Sequence, residues 1–239
     1  MERLQKRIAS LGYCSRRKAE ELITKGLVEV NGEVVDKLGT TVKPGDIIVV
    51  EGNILDSNRQ FEYYLLNKPK GVVTTTNDEK GRKTVVDLID TPTRIYPVGR
   101  LDYDTTGILL LTNDGELANM LMSPKSEVDK TYIAKIEGTI KVSDIQKLRN
   151  GVVIEGFKTS KAKVKVKSVD KKKNTSVVVL TIHEGKNHQV KKMFEVLGYK
   201  VTKLRREKYA NLDLKGLLPG EYRTLSIKEV KVLYGLCKK

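Results

Sequence analysis

A loop that carries two aspartates leads directly into a short, fully apolar strand near the middle of the chain. Asp102 and Asp104 lie within residues 99–107, and residues 108–111 read ILLL. A loop at the end of a core strand is held rigidly, and its glycines allow a ligand to approach the backbone closely. Residues 99–107 are therefore a candidate catalytic or ligand-binding loop, although Asp, Thr and Gly are also common in a charged turn that caps a strand.

The chain as a whole is strongly basic. Its 239 residues include 45 Lys and Arg against 30 Asp and Glu, which gives a formal net charge of +15. Such an excess favours a polyanionic partner, with nucleic acid first. A membrane surface is the alternative, but the sequence has no basic amphipathic segment with a wide apolar face. It also has no apolar run near the roughly 20 residues that span a bilayer.

The ends of the chain bear on its compartment. Residues 1–7, MERLQKR, lack the apolar core of a signal peptide. Cys14 and Cys237 lie far apart without a paired spacing, so neither a disulfide framework nor a zinc site is expected. We therefore expect a cytoplasmic protein. No obligate protein partner is evident in the sequence, so we also expect a monomer.

Charge and turn residues divide the chain into two predicted domains, 1–60 and 61–239. The first 60 residues hold ten basic and nine acidic side chains, which leaves 35 and 21 for the remainder, a net charge of +14. The polar residues 51–60 are the predicted linker. Separate domains predict that each part has its own core.

The first domain is predicted to pack two helices on a β-hairpin. Ser15 is placed to cap the second helix, and Gly26 ends it. An Asn31-Gly32 turn joins two strands that begin at Val28 and Val34, and a last strand covers residues 47–50. The apolar stripes of the two helices are formed by Leu4, Ile8 and Leu11 and by Ala19, Leu22 and Ile23.

Three cations open the second helix at Arg16, Arg17 and Lys18. Positive charge beside a helix N-terminus costs a few tenths of a kcal/mol for each residue. An RNA phosphate would offset that cost, whereas the simpler interpretation is an incidental exposed charge run. We prefer the RNA contact.

The second domain is predicted to be α+β, built on a mixed, largely antiparallel sheet. Capping boxes are predicted at residues 143–146 and 226–229, and an apolar helical stripe from Val190 to Leu197 closes at Gly198. The predicted strands cover residues 61–66, 72–75, 108–111, 131–137, 162–168 and 176–183. The alternating lysines 161, 163, 165 and 167 share one strand face, where we favour solvent-facing edge protection.

Four motifs in order carry a resemblance to a known family. The stretch GRLDYDTTGILLLTNDGELANMLMSP at residues 99–124 is preceded by NKPKG at 67–71 and followed by KTY at 130–132 and EGKNHQVKKM at 184–193. Together they resemble the RsuA/RluB/RluE/RluF family of pseudouridine synthases, and the RluB branch most closely. The segments SRRKAEELITKGLVEVNG and VKPGDII resemble the ribosomal-protein S-four type of RNA-binding domain.

The resemblance implies catalytic roles for three residues. Asp102, the Asp of GRLD, either attacks the anomeric carbon of the target ribose or removes the neighbouring ribose proton, and both routes stay open. Lys191 matches the basic residue that pairs with this Asp, a position where relatives often carry Arg; Lys keeps the charge but loses the bidentate fork. Tyr132 matches the tyrosine that stacks on the base, although a core tyrosine in a strand would look the same.

Further residues are candidate RNA contacts. Arg100 is the expected wedge or phosphate grip, because the target uridine must leave its stack. A basic cluster at residues 191, 192, 200, 203, 205, 206 and 208 is expected to meet RNA. The full set of candidates is Arg3, Arg16, Arg17, Lys18, Lys68, Arg100, His188, Gln189, Lys192 and Arg205.

The implied reaction isomerises a uridine in ribosomal RNA to pseudouridine and requires no redox or phosphate energy, so no cofactor is expected. No metal is expected either, because His183, Glu184 and His188 do not match H-E-x-x-H. Asp104 is the rival catalytic carboxylate, but two carboxylates two residues apart do not readily flank one sugar. The RluB-like branch predicts large-subunit rRNA; a small-subunit target and a non-catalytic ribosome-assembly factor are the alternatives.

Overall fold

A computed structural model describes residues 1–56 and 60–238 of the chain. The chain forms two compact units. The smaller contains Met1–Glu62 with two short later segments, Thr91–Ile95 and Asn113–Gly115, and the larger contains the rest. Part of the predicted linker, residues 57–59, lies outside the described residues, and the domain boundary at residue 60 stays a prediction.

The smaller unit packs two helices on short antiparallel strands, as predicted. Ser15 caps α2 by accepting a hydrogen bond from Lys18 N at 3.1 Å. Asn31 and Gly32 both have positive φ, which a two-residue hairpin turn requires. Its elements are β1 (Glu2–Arg3), α1 (Leu4–Ser10), α2 (Arg16–Thr24), β2 (Val28–Val30), β3 (Glu33–Val34), β4 (Thr41–Val42), β5 (Ile48–Val50) and β6 (Asn53–Ile54).

Strand β6 corrects the predicted linker, because it pairs with β5 within residues that were expected to be unstructured. The order of the larger sheet of this unit is β3-β2-β5-β6, and β1 pairs separately with β4. Both predicted helical stripes face the core. The fully buried side chains are Leu4, Ile8, Ala19, Leu22, Ile23, Val28, Val42, Ile48 and Val50.

The larger unit is built on a mixed, largely antiparallel sheet of nine strands within the described residues. The main path runs β13-β14-β10-β15-β9-β7-β17, with β16 on β15 and β8 on β9. The strands are β7 (Tyr63–Lys68), β8 (Tyr96–Pro97), β9 (Thr106–Thr112), β10 (Lys130–Glu137), β11 (Val153–Ile154), β12 (Phe157–Lys158), β13 (Lys163–Asp170), β14 (Thr175–Ile182), β15 (Val201–Tyr209), β16 (Leu212–Asp213) and β17 (Tyr222–Thr224), with β11 and β12 forming a separate hairpin.

Four helices accompany these strands. The capping box at Ser226 is confirmed, since its hydroxyl accepts from Glu229 N while the Glu229 carboxylate accepts from Ser226 N. The capping box predicted at residues 143–146 is wrong, because α4 begins one residue earlier without a side-chain cap. The helices are α3 (Gly115–Met122), α4 (Val142–Asn150), α5 (Gln189–Glu195) and α6 (Ile227–Cys237), and none of the described helices is long and apolar enough to cross a membrane.

One parallel pairing joins the two halves of the large sheet. Strands β9 and β15 pair with Arg205 opposite Thr106 and Arg206 opposite Gly107. A Cβ at Gly107 would lie 2.2 Å from Arg206 O, and its φ is +106°. Only glycine fits such a close approach in the left-handed half of φ space. The close pairing of β9 with β15 therefore explains why the GRLDYDTTG motif ends in a glycine.

One predicted strand is absent, and two elements of the larger unit were not predicted. Residues 72–75 form no strand; only an isolated bridge joins Val73 to Thr84. Strand β15 was not predicted, because its many charged residues indicated a basic cluster rather than a strand, and α3 was not predicted either. The solvent-facing lysine row is confirmed: lysines 163, 165 and 167 are exposed, while Val164 is buried.

Candidate active site

Lys68 braces the loop that carries Asp102. Its side chain lies at the end of β7 with 0 % relative exposure. The ammonium donates to Pro69 O at 3.0 Å and to Asp102 O and Thr105 O at 3.1 Å each. Burial lowers the pKa of Lys68 to about 8, although the charges of Asp102 and Asp104 act in the opposite direction. Lys68 thus satisfies three backbone carbonyls, and its prediction as an RNA contact is wrong.

A second segment holds the loop from the other end. Thr74 Oγ1 donates to Leu101 O at 2.6 Å and accepts from Leu101 N at 3.3 Å. Gly71 N donates to Tyr103 O at 2.9 Å. Residues on both sides of Asp102 are therefore hydrogen-bonded to residues 71–74, so the backbone that carries the carboxylate is fixed independently of any ligand.

The Asp102 carboxylate meets helix α5. Its Oδ2 lies 3.1 Å from Lys191 Nζ and accepts from Thr105 Oγ1 at 3.4 Å, and its Oδ1 lies 3.3 Å from His188 Nε2. His188 is the N-cap of α5, with a left-handed backbone conformation. The side chain of Asp102 remains 28 % exposed. The carboxylate is therefore oriented by a cation yet still open to a substrate.

Lys191 links two carboxylates. Its Nζ lies 2.7 Å from Asp104 Oδ1 as well as 3.1 Å from Asp102 Oδ2. Burial opposes the charge of the ammonium, but the hydrogen bonds to Asp104 and Asp102 outweigh it and raise the pKa of Lys191. The hydrogen bond from Lys191 lowers the pKa of Asp104. Lys192 points elsewhere and pairs with Glu155 at 2.6 Å.

Asp102 and Tyr132 line one small cavity. Tyr132 is contributed by β10 and is almost fully buried. Ile182 at the end of β14 and Leu204 of β15 add apolar surface, and Arg100 lies at the same cavity with an exposed side chain. One carboxylate, one aromatic ring and apolar walls suit a flat heterocycle whose sugar reaches the carboxylate.

The turn before α5 is held by its own side chains. Gln189 is buried, its Oε1 accepts from Lys186 N at 2.9 Å, and its Nε2 donates to Glu184 Oε2 at 3.2 Å. Glu184 also accepts from Ser160 N. Burial favours the neutral acid, but these hydrogen bonds outweigh it and lower the pKa of Glu184. Gln189 therefore supports the turn that presents His188, and because it also lines the cavity beside Asp102, its role as an RNA contact stays a prediction.

The remaining predicted RNA contacts differ in exposure. Arg205 is exposed and pairs with Glu207 at 2.9 Å. Arg206, which was expected on the surface, is buried: its Nε donates to Ile108 O at 2.7 Å, and its Nη2 has no hydrogen-bond partner among the described residues. In the smaller unit the cations Arg3, Arg16, Arg17 and Lys18 are all exposed.

Some residues of the site were not expected from the sequence. Thr74, Ile182 and Leu204 were missed because a threonine in a loop or an aliphatic residue in a strand has no distinctive signal. For Lys68 a partial signal was present, since the apolar run Tyr64-Leu65-Leu66 lies two residues before it in the same strand. Across the described residues, no group of three or more His, Cys, Asp or Glu side chains is placed to hold a metal ion.

Comparison with known protein families identifies the class that this fold and site define. The profile of the RNA pseudouridylate synthase family matches residues 62–196, and that of the S4 domain matches residues 2–48. The chain belongs to the RNA pseudouridylate synthase family of isomerases and carries an N-terminal S4 domain.

Individual relatives agree with this assignment over nearly the whole chain. Ribosomal large subunit pseudouridine synthase B of Bacillus subtilis (strain 168) is 54 % identical, over 99 % of this chain and 97 % of the relative. Dual-specificity RNA pseudouridine synthase RluF of Escherichia coli (strain K12) is 37 % identical, over 98 % of this chain and 79 % of that protein. A crystal structure of a pseudouridylate synthase is 34 % identical, with a TM-score of 0.70, over 98 % of this chain and 100 % of that one.

Proposed function

We propose that this enzyme converts a specific uridine of large-subunit ribosomal RNA to pseudouridine, with Asp102 as the catalytic residue. The observation that carries the proposal is the Asp102 carboxylate, paired with Lys191 at 3.1 Å, at the cavity that Tyr132 lines. The large-subunit target is supported by the relative from Bacillus subtilis that is 54 % identical. Ribosomal RNA as the substrate also accounts for the net charge of +15.

The reaction breaks the bond between uracil nitrogen one and the ribose anomeric carbon, turns the base, and rejoins it through ring carbon five, which then loses its proton. Asp102 in its ionised form acts on the ribose, either by attack on the anomeric carbon or by removal of the adjacent proton. Lys191 stabilises the charged form of this carboxylate beneath a base that excludes water. In this proposal Tyr132 stacks on the flipped uracil and helps to remove the proton from ring carbon five.

Asp104 does not serve as the second carboxylate of a glycosidase-like pair. Its side chain is 55 % exposed and shares the Lys191 ammonium with Asp102, so the two carboxylates converge on one cation. A pair that acts on one sugar needs to flank it from two sides. We infer that Asp104 helps to position Lys191 and does not touch the ribose.

The S4 domain contributes affinity and choice of site in this proposal. Arg16 and Arg17 open α2 on the surface, where phosphate oxygens can meet both the side chains and the helix N-terminus. We further propose that the enzyme works as a monomer in the cytoplasm, where ribosomal RNA is made and assembled in bacteria. A particular uridine would then be selected by RNA structure around it.

A tritium-release assay tests the activity directly. RNA transcribed with uridine labelled at ring carbon five loses tritium to water when pseudouridine forms, so the purified full chain should release tritium from large-subunit rRNA. The Asp102→Asn variant is the matched control, because the amide keeps the shape of the side chain. Release by the variant at the wild-type rate would contradict the role of Asp102.

Mapping of pseudouridine in rRNA from cells with and without the gene tests the target. Loss of one position in the large-subunit RNA is the expected result. Loss of a position in the small-subunit RNA would instead support the second candidate, a small-subunit rRNA target. An unchanged map together with altered ribosome assembly would indicate a non-catalytic assembly factor.

A further inference from the structure

One face of the large sheet is open and carries many cations. In the strands β13, β14, β10 and β15 the register aligns Lys163, Thr181, Thr131 and Lys208 in one row across the sheet. The hydroxyls of Thr131 and Thr181 lie 2.8 Å apart, so both side chains project from the same face. Lys163 is 81 % exposed. Lys208 is exposed as well, so both ends of this row face solvent.

The next two rows repeat the pattern. Lys165, Val179, Ile133 and Arg205 are aligned in the second row, and Val177, Lys135 and Lys203 in the third. The neighbours on the opposite face, among them Leu180, Ala134 and Leu204, are buried. We call Lys135, Lys163, Lys165, Lys203, Arg205 and Lys208 the basic sheet face.

Five of the six cations of this face form two columns, and Lys135 of β10 lies between them. One runs along β13 and the other along β15, and strands lie about 4.8 Å apart, so the columns are separated by about 14 Å. Carboxylates balance only part of this charge: Lys163 pairs with Asp129 at 3.0 Å and Arg205 with Glu207 at 2.9 Å. Such exposed pairs contribute little and can give way to phosphate. Within the described residues, the other four lysines form no ion pair.

Protection of a sheet edge explains one column but not the other. Lysines on β13 would discourage pairing with another chain, since β13 is the edge strand of the sheet. Strand β15 lies inside the sheet between β10 and β9, where no edge needs protection. Cations gathered on an interior strand repel one another and those of β13, so their arrangement indicates a polyanionic partner.

The side chains between the columns identify the form of that partner. They are Thr131, Thr181, Ile133, Val177, Val179 and Lys135, with no aromatic ring among them. Proteins that bind single-stranded RNA on a sheet stack the bases on aromatic side chains. A base-paired RNA presents its phosphates instead and is recognised by backbone contacts and shape. Two cationic columns without stacking residues therefore fit a duplex.

This face is distinct from the active site. Tyr132 and Leu204, which line the cavity beside Asp102, project from the opposite face of the same strands. We propose that the basic sheet face binds the sugar–phosphate backbone of a base-paired RNA segment that does not enter the cavity. The proposal extends the function proposed above, because it rests on an RNA substrate.

Salt-dependent binding of a base-paired RNA tests the proposal. The probe is a duplex of about 20 base pairs without a target uridine, and the test variant combines Lys165→Gln, Lys203→Gln and Lys208→Gln. The control variant combines Lys215→Gln, Lys228→Gln and Lys231→Gln, three exposed positions on the same unit. Each lost phosphate contact lowers the log–log salt slope by about 0.7–0.9. We expect the test variant to lose about two units of slope and the control variant less than half a unit.

Equal slopes for the two variants would overturn the proposal, as would an equal loss of affinity for a single strand of the same length. Loss of binding to anionic lipid vesicles, with duplex binding unchanged, would overturn it in favour of a membrane surface. A second measurement uses the unmodified protein: bound duplex should protect Lys165 and Lys203, but not Lys215, from acylation by a succinimidyl ester. Since no turnover is measured, these results are independent of the tritium-release assay.

Discussion

The cation beneath the Asp102 loop and the cations on the open surfaces of this protein do different work, although the sequence presents them alike. Lys68 is fully buried and donates to three backbone carbonyls, whereas Arg16 and Arg17 are exposed and form no ion pair within the described residues. A buried ammonium fixes geometry and is costly to remove. An exposed cation attracts phosphate and is nearly neutral for stability.

Between these extremes stands Lys191, which is 25 % exposed and holds two carboxylates. Its environment is dry enough to strengthen the ion pair and open enough for a substrate. The comparison of Lys68, Lys191 and the Arg16-Arg17 pair shows that exposure, and not charge, separates residues that shape the site from residues that would bind RNA. Substitutions of these cations, or of the carboxylate that Lys191 holds, should therefore differ in whether they change rate, stability or binding.

The largest effect is expected at the carboxylate that Lys191 holds. Asp102→Asn removes the nucleophile or base but keeps the shape, so the rate of isomerisation should fall by about 10³-fold or more while RNA affinity changes little. Asp104→Asn is the matched control and should lower the rate by less than about tenfold. Single-turnover tritium release measures both. If Asp104→Asn were the more damaging change, the assignment of the two aspartates would be reversed.

The next effect concerns stability and the fully buried cation. Lys68→Met leaves the carbonyls of Pro69, Asp102 and Thr105 without their donor, which should destabilise the protein by about 2–4 kcal/mol. Lys70→Met, two residues along the chain at an exposed position, should change the free energy of unfolding by less than about 0.5 kcal/mol. Urea unfolding measures both values. Equal stability of the two variants would contradict the bracing role of Lys68.

The same residue predicts a dependence of stability on pH. Folded Lys68 releases its proton above about pH 8, whereas the unfolded lysine keeps it to about pH 10.5. The unfolded chain therefore binds more protons in this window, and wild-type stability gains from Lys68 as pH rises, by up to about 1.4 kcal/mol for each pH unit. Burial also lowers the pKa of Lys130 to about 8. Lys130 is present in both the wild type and the Lys68→Met variant, so its contribution cancels in their difference. The difference between wild type and Lys68→Met should grow with pH; a constant difference would contradict it.

Lys191 should affect the pH dependence of catalysis more than binding. Lys191→Met leaves Asp102 and Asp104 without their shared cation, and because loss of a neighbouring positive charge disfavours a carboxylate anion, the acid limb of the pH–rate profile should move upward. The pKa of Asp104, followed by NMR, should rise in the same variant. Lys191→Arg should keep most of the rate. Single-turnover rates at saturating RNA remove any binding defect from the comparison.

An unshifted acid limb in the Lys191→Met variant would mean that Lys191 contacts only phosphate. His188, whose Nε2 lies 3.3 Å from Asp102 Oδ1, would then be the next candidate partner of the carboxylate. The structure excludes Lys192 from that role, because its ammonium pairs with Glu155 at 2.6 Å.

Much of the fold was predictable, because local signals and burial agreed. The Ser15 cap, the Asn31-Gly32 turn and the apolar strand after Asp102 each indicated an element that the structure contains. Strand β15 was not predictable in this way, since its cations alternate with few apolar residues and only the sheet around it determines which face is buried. Tertiary context overrode the local pattern there.

The site residues were predictable where the family motifs are specific. The predictions failed for polar residues that can either bind RNA at the surface or form hydrogen bonds inside the protein. Asp102, Tyr132 and Lys191 lie together as the resemblance implied. Lys68 and Arg206 were expected to meet RNA but are buried, and each donates hydrogen bonds to protein atoms. The sequence shows that a residue is polar, but whether that residue is buried depends on strands that are distant in the sequence.

The smallest effect is expected at the exposed cations of the S4 domain. Arg16→Ala combined with Arg17→Ala removes two candidate phosphate contacts, which should weaken RNA binding several-fold at physiological salt and lower the log–log salt slope by about one to two units. The same variant removes two cations from the N-terminus of α2, which should raise the stability of the protein by a few tenths of a kcal/mol. Lys37→Ala combined with Lys43→Ala, two exposed positions in the same unit, is the matched control. Weaker binding together with unchanged or greater stability would mark Arg16 and Arg17 as residues kept for RNA at the expense of the helix. If both double variants kept the wild-type slope, the run Arg16-Arg17-Lys18 would be an ordinary solvated surface. Exposed cations that bind RNA would then have to be sought in the larger unit alone.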